Sequence, residues 1–147
     1  MSDDPISKIY CVGNSKAIIR ARWDNLYTFE LEYPRFIHSE FMTHRMHSQN
    51  ASSSRAVPVE RTIQNILNEP WKPLHVYKNC RGMQGKELMS DDEYDSFCKH
   101  WDDAKLQAIE VAHKMIKEGF HKQHINRILE PFTKIKVIVT ATEWDNF

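Results

Sequence analysis

Ser90 to Gly119, SDDEYDSFCKHWDDAKLQAIEVAHKMIKEG, decides the architecture. Ser90 reads as an N-cap, with Glu93 three residues on in capping-box position. Tyr94, Phe97, Trp101, Ala104, Ala108, Val111 and Met115 then recur at alternating spacings of three and four, the repeat of one helical face. Gly119 supplies a stop. The stretch predicts one helix of about 27 residues, long enough to organise a domain around it.

Outward from that helix, Lys122 to Leu129 predicts a second helix stopped before Pro131, and Ile135 to Thr140, IKVIVT, predicts a β-branched strand. On the other side, Trp71 to Ser90 has no period, contains Gly82 and Gly85, and reads as a long loop. Pro58 opens a short helix with Ile63, Ile66 and Leu67 on its buried side, ending near Pro70. Ser48 to Val57, SQNASSSRAV, is a loop by composition. Arg35 to His47 predicts a helix with Phe36, Ile37, Phe41 and His44 near one face. Thr28 to Tyr33, TFELEY, alternates and predicts a strand ended by Pro34. Ile6 to Val12 and Lys16 to Trp23 flank the Gly13-Asn14 turn signal as an expected strand pair. The fold class expected is α+β, an antiparallel or mixed sheet with one long helix and several shorter ones. No repeat or linker divides the 147 residues, so one domain spanning 1–147 is expected.

Composition excludes several classes. The apolar fraction is 41% with 16 aromatics, richer in both than a disordered chain. Twenty basic residues balance twenty acidic ones, giving no global attraction to nucleic acid or an anionic membrane. No apolar run approaches the roughly 20 residues of a membrane span, and MSDDPISK lacks the apolar core of a secretory signal. Cys11, Cys80 and Cys98 form neither a disulfide framework nor a zinc ribbon. A cytoplasmic location is the expectation.

Charge is uneven locally. Glu87 to Asp103 holds seven acids against Lys99 alone, as suits the positive end of a helix. Phe41 to Val59 holds no acid at all, while His44, Arg45, His47 and Arg55 lie there around three consecutive serines, Ser52 to Ser54. Backbone N–H groups, hydroxyls and planar guanidinium groups in one acid-free loop suit a phosphate or nucleotide. The other reading is a polar loop whose arginines pair with the acidic helix.

His44-Arg45-x-x-Ser48-x-Asn50-x-x-Ser53-x-Arg55 resembles the signature of the flavin-dependent thymidylate synthases, R-H-R followed by seven residues and a serine. The long helix, NRILEP (Asn126 to Pro131), KVIVT (Lys136 to Thr140), Trp144 and Phe147 look like that family in the same order, so the resemblance runs from Thr28 onward. It implies reductive methylation of dUMP to dTMP, with FAD as cofactor and NADPH and methylenetetrahydrofolate as co-substrates, in a homotetramer whose sites draw on several subunits. It implies flavin contacts for Thr43, His44, Arg45 and Asn50. It places dUMP against Glu40, Ser52, Ser53, Ser54, Arg55 and Lys136. Thr43 stands where the family has its first arginine and Glu40 where it usually has glutamine, a pattern some phage-type relatives share. The family's N-x-R and its ring-activating arginine come after the position of Phe147, so the expectation is the N-terminal two-thirds of such an enzyme. The alternative is a non-catalytic nucleotide- or flavin-binding module of the same fold.

Other chemistries find less support. His121 and His124 sit three apart with His113 one element earlier, but no cysteine or carboxylate completes a metal set at ligand spacing. No basic stripe with interleaved aromatics suggests nucleic acid. Ser53 has no nucleophile elbow around it. Cys80 and Cys98 read as a loop and a core residue.

Overall fold

The long helix forms where its caps place it. In the computed structural model, which describes residues 16–23 and 26–143, α3 spans Asp91–Lys117. Ser90 and Glu93 exchange both capping-box bonds. Gly119 takes φ 82°, and the N–H groups of Gly119 and Phe120 close back on the carbonyls of Ile116 and Met115. That double closure at a left-handed glycine ends the helix.

Among the described residues the sheet has four strands, in the order β1 (Lys16–Trp23), β2 (Leu26–Pro34), β4 (Lys134–Ala141), β3 (Ser48–Ala51), and every pairing is antiparallel. The expected partner of β1, Ile6 to Val12, lies outside the described residues; β1 pairs with β2. β2 and β4 alternate, so Tyr33, Ile135, Val137 and Val139 are buried on one face. The other face carries Glu30, Glu32, Lys136, Ile138 and the Thr28–Thr140 hydroxyl pair at 2.8 Å.

Two expectations between β2 and the helices are corrected. The helix expected over Arg35 to His47 is a 3-10 turn, Arg35–Ile37, followed by a single turn α1, His38–Phe41. Ile37 and Phe41 pack on the sheet cluster, but Met42 to Met46 are exposed, so no burial offsets the cost of continuing the helix. The loop expected at Ser48 to Val57 begins instead as β3, because the edge of β4 offers its backbone to Ser48 through Ala51. Pairing context overrides the weak β-propensity of SQNA.

Three helices make a second core. α2 (Val59–Asn68), α3 and α4 (Lys122–Leu129) bury Ile63, Ile66, Ile109, Ala112, Ile125 and Leu129 together, closed by Phe132 from the 3-10 turn Glu130–Phe132. Ile63 and Ile66 are buried as expected, whereas Leu67 faces outward. The stretch from Trp71 to Ser90 is irregular apart from one antiparallel bridge, Tyr77 to Leu88. Its first residue is anchored: Trp71 stacks on Phe36, meets Trp101 edge-on, and accepts the Trp101 Nε1–H at its carbonyl, 3.1 Å away. Among the described residues, no helix is long and apolar enough to cross a membrane.

Candidate functional site

The serine loop is held from both sides by residues far away in sequence. Arg35, first after β2, donates its backbone N–H to Thr133 O at 2.9 Å and Nη1–H to Ser52 O at 3.2 Å. Ser52 N–H in turn reaches Lys136 O at 3.1 Å, extending the β3–β4 ladder by one bond. On the other side Ser54 Oγ–H donates to Glu130 Oε1 at 2.5 Å. Asn126 Nδ2 donates to Ser54 O at 2.7 Å and Val57 O at 2.8 Å. Asn126 and Glu130 stand four residues apart, one helical turn, so α4 and its 3-10 extension present both to the loop.

Between this loop, the β2–β4 edge and α2 lies a cavity of about 590 Å³. Among the described residues four cations line it, Arg35, Arg61, Lys134 and Lys136, against three carboxylates, Glu32, Glu69 and Glu130. Glu32 is opposite Lys136 in the β2–β4 register, and its carboxylate lies 3.6 Å from Lys136 Nζ and 3.5 Å from Lys134 Nζ. Lys134 is shared with Glu69 at 3.4 Å. Burial lowers the Arg35 pKa, opposed by the Glu130 charge. Arg61 forms no ion pair among the described residues. A concave, net-positive cavity that combines apolar walls with hydroxyl and amide groups suits a small phosphorylated molecule.

The residues singled out from sequence divide into two groups. Ser52, Ser54 and Lys136 line the cavity. Ser53 and Arg55 alternate with the two serines and are exposed outside its lining. Glu40, Thr43, His44, Arg45 and Asn50 lie apart from it as well. Glu40 accepts a hydrogen bond from Ser39 Oγ at 2.9 Å, and Thr43 Oγ1–H is spent on Glu40 O at 2.7 Å. Asn50 is exposed on the open sheet face opposite Ile138. Arg45 and Arg55 are exposed and form no ion pair among the described residues, so neither is committed to the acidic helix. That helix uses its charge locally, Asp102 holding Lys72 and Lys105 at 2.7 Å each.

Sequence reasoning missed Arg35, Arg61, Glu32, Asn126 and Glu130. The i, i+4 spacing of Asn126 and Glu130 was the one legible signal, since it places both on one face of a helix.

Around Phe41 a second cluster forms. Phe41 stacks on His47 at 4.9 Å between centroids, with His38 at 6.3 Å and His44 at 6.5 Å. Tyr33 OH and His38 Nδ1 are 2.8 Å apart. Burial raises the Tyr33 pKa, opposed by the Arg35 charge, which keeps the phenol protonated. Burial, helped by the Arg35 charge, lowers His38; burial, partly offset by a backbone hydrogen bond, lowers His47 with His44 adding to it. Both imidazoles are therefore held neutral in the folded state below the ordinary value of about 6.5. In that window the unfolded chain binds more protons, so stability is full above pH of about 6.5 and declines as pH falls below it. The urea midpoint is expected to drop between about pH 7 and pH 5, and less steeply in His38→Gln. Equal slopes for the two proteins would remove His38 from this role.

The fold is shared with crystal structures of the UMP/dUMP methylase PolB from Streptomyces cacaoi. With the 5-Br UMP-bound form the TM-score is 0.60 at 19% identity, covering 79% of this chain and 50% of that one. With the 5-Br dUMP-bound form it is 0.55 at 18% identity, covering 79% and 48%. The chain thus spans about half the length of these structures. No family model matches the sequence, and the search of curated proteins returned no match.

Proposed function

We propose that the chain binds a uridine 5′-monophosphate nucleotide in the Ser52–Ser54–Lys136 cavity and serves in methylation of its uracil ring, with dUMP as the preferred substrate. The observation that carries this reading is the cavity itself. It gathers two serines and the late-strand lysine of the thymidylate synthase-like pattern under Arg35 and Arg61, in a fold shared with a UMP/dUMP methylase. The sequence pattern favours the flavin-dependent form of the reaction, with methylenetetrahydrofolate as carbon donor. Bound FAD would supply the hydride after reduction by NADPH. The chain's own work is to bind and orient the nucleotide and to stabilise charge on it.

The His44–Arg45 corner fits the rim of such a flavin: an exposed guanidinium without an ion pair suits a phosphate, and an imidazole tilted against Phe41 and His47 suits a ring edge. Thr43 has its proton committed and could act only as an acceptor. This corner stands apart from the nucleotide cavity, which favours a site completed between subunits of a homotetramer, in the cytoplasm. The same separation favours a second reading, a nucleotide- or flavin-binding module without turnover.

Tritium release from 5-tritiated dUMP, with FAD, NADPH and methylenetetrahydrofolate present, together with calorimetric titration of dUMP and of FAD, separates the two. Release supports the enzyme; binding of dUMP or FAD without release supports the module; binding of neither rejects both. Independently, Arg45→Ala is expected to weaken FAD binding in fluorescence titration by about 1.5–3 kcal/mol, the worth of a charged hydrogen bond. Equal FAD affinity in the two proteins would take Arg45 out of the flavin corner.

A further inference from the structure

One wall of the cavity has spent its protons. Ser54 has a single hydroxyl proton and gives it to Glu130. Asn126 has two amide protons and gives them to Ser54 O and Val57 O. What remains at this wall is the lone pairs of Ser54 Oγ, the Glu130 carboxylate, and Asn126 Oδ1. Asn126 is 1% exposed, and its Oδ1 is buried with no hydrogen-bond partner. A donor lining the same cavity is Arg35 Nε, likewise buried and without a partner.

A phosphate oxygen brings only lone pairs and negative charge, so it is repelled by Ser54 Oγ and Glu130. It is better served by Arg61 on α2 and Lys136, whose side chain is 66% exposed. A donor group, an N–H or O–H, is what an acceptor wall binds, and a buried acceptor without a partner rewards it. Resting on the nucleotide reading above, we infer that the Ser54–Glu130–Asn126 wall recognises a hydrogen-bond donor of the nucleoside, while the phosphate lies at the cationic residues Arg61 and Lys136. Two groups of dUMP carry such a donor: the imide N3–H of uracil and the 3′-hydroxyl of the sugar. The imide is the better match, because one of its flanking carbonyls can accept the single proton of Arg35 Nε. Cytosine, with an acceptor at N3, is refused by the same wall.

Isothermal titration of the 147-residue chain with dUMP, N3-methyl-dUMP, 2′,3′-dideoxy-UMP and dCMP tests this. Wild type is expected to bind N3-methyl-dUMP and dCMP at least tenfold more weakly than dUMP. If the dideoxy nucleotide alone shows the loss, the wall reads the sugar hydroxyl, and the inference stands with that donor. Ser54→Ala, which removes the acceptor with little change in volume, is expected to shrink the discrimination to threefold or less. Glu130→Gln should do the same, because it replaces the acceptor-only carboxylate of the wall by an amide that also brings donors. Circular dichroism matching wild type secures the fold of both variants. Equal binding of all four ligands, or discrimination unchanged in both folded variants, overturns the inference while leaving the nucleotide reading intact. No binding of dUMP overturns both.

Discussion

Replacing Asn126 by alanine is expected to lower stability by about 3 kcal/mol and to cost the chain at least tenfold in dUMP affinity. The side chain is 1% exposed and satisfies two carbonyls at 2.7 and 2.8 Å. Stranding a fully buried acceptor costs about 1–3 kcal/mol, and here two half-buried ones lose their partner together. Val57 N–H reaches Ser54 O only at 3.4 Å, too long to compensate in full. The affinity loss follows from the same bonds, because Ser54 and Val57 bracket the turn that forms the cavity wall. A wall that must be ordered by its ligand binds it more weakly than one ordered in advance. Asn126→Asp is expected to lose at least as much, since an acceptor-only carboxylate would face the same carbonyls. Urea denaturation and calorimetry give the two quantities separately. An unchanged midpoint would mean the loop is held by Ser54–Glu130 alone, and stability lost without affinity would mean the loop geometry does not set the site.

How much of this was legible from the amino-acid order depends on whether the cause is local. α3 begins and ends where Ser90, Glu93 and Gly119 place it, because caps act within one turn. α4 and β4 form where the stop before Pro131 and the β-branched run IKVIVT place them, for the same reason. The segment Arg35 to Ala51 could not be read that way. Phe41 and Ile37 have a place on the sheet, but whether Met42 to His47 continue a helix depends on whether anything covers them. Whether SQNA becomes a strand depends on β4, more than eighty residues later, leaving an edge open.

The site shows the same division. Ser52 and Ser54 were visible as residue types suited to a nucleotide and Lys136 through the family resemblance, and the cavity includes all three. Glu32, Arg35 and Glu130 were not visible, since their importance comes from a strand register and from hydrogen bonds spanning up to 76 residues. Alternation does show that Glu30 and Glu32 share a face of β2. It cannot show that Lys136 lies opposite Glu32.

That register supports the second large effect, Lys136→Glu. The cavity holds four cations and three carboxylates, and this change inverts the balance to three and four. It also sets two carboxylates directly opposite each other across β2 and β4, where Glu32 now faces a lysine. Like charges at such a pair oppose the strand pairing, although Lys134, 3.5 Å from Glu32, limits the damage to the fold. The ligand has no such relief. Two unit charges 4 Å apart interact by about 1 kcal/mol in water, and reversing one charge beside a dianionic phosphate changes four such pairings. With salt screening at this exposed position, the loss is expected at about 2–3 kcal/mol, or about thirty- to a hundred-and-fortyfold in dUMP affinity. Deoxyuridine, which has no phosphate, is the control: its affinity should change by no more than twofold. Titration of both ligands at two salt concentrations decides the matter, with the wild-type preference for dUMP weakening as salt rises and the variant's much smaller preference hardly responding. If dUMP binds the variant as tightly as wild type, the phosphate does not lie near Lys136; if deoxyuridine is lost equally, the substitution has damaged the cavity and not its charge.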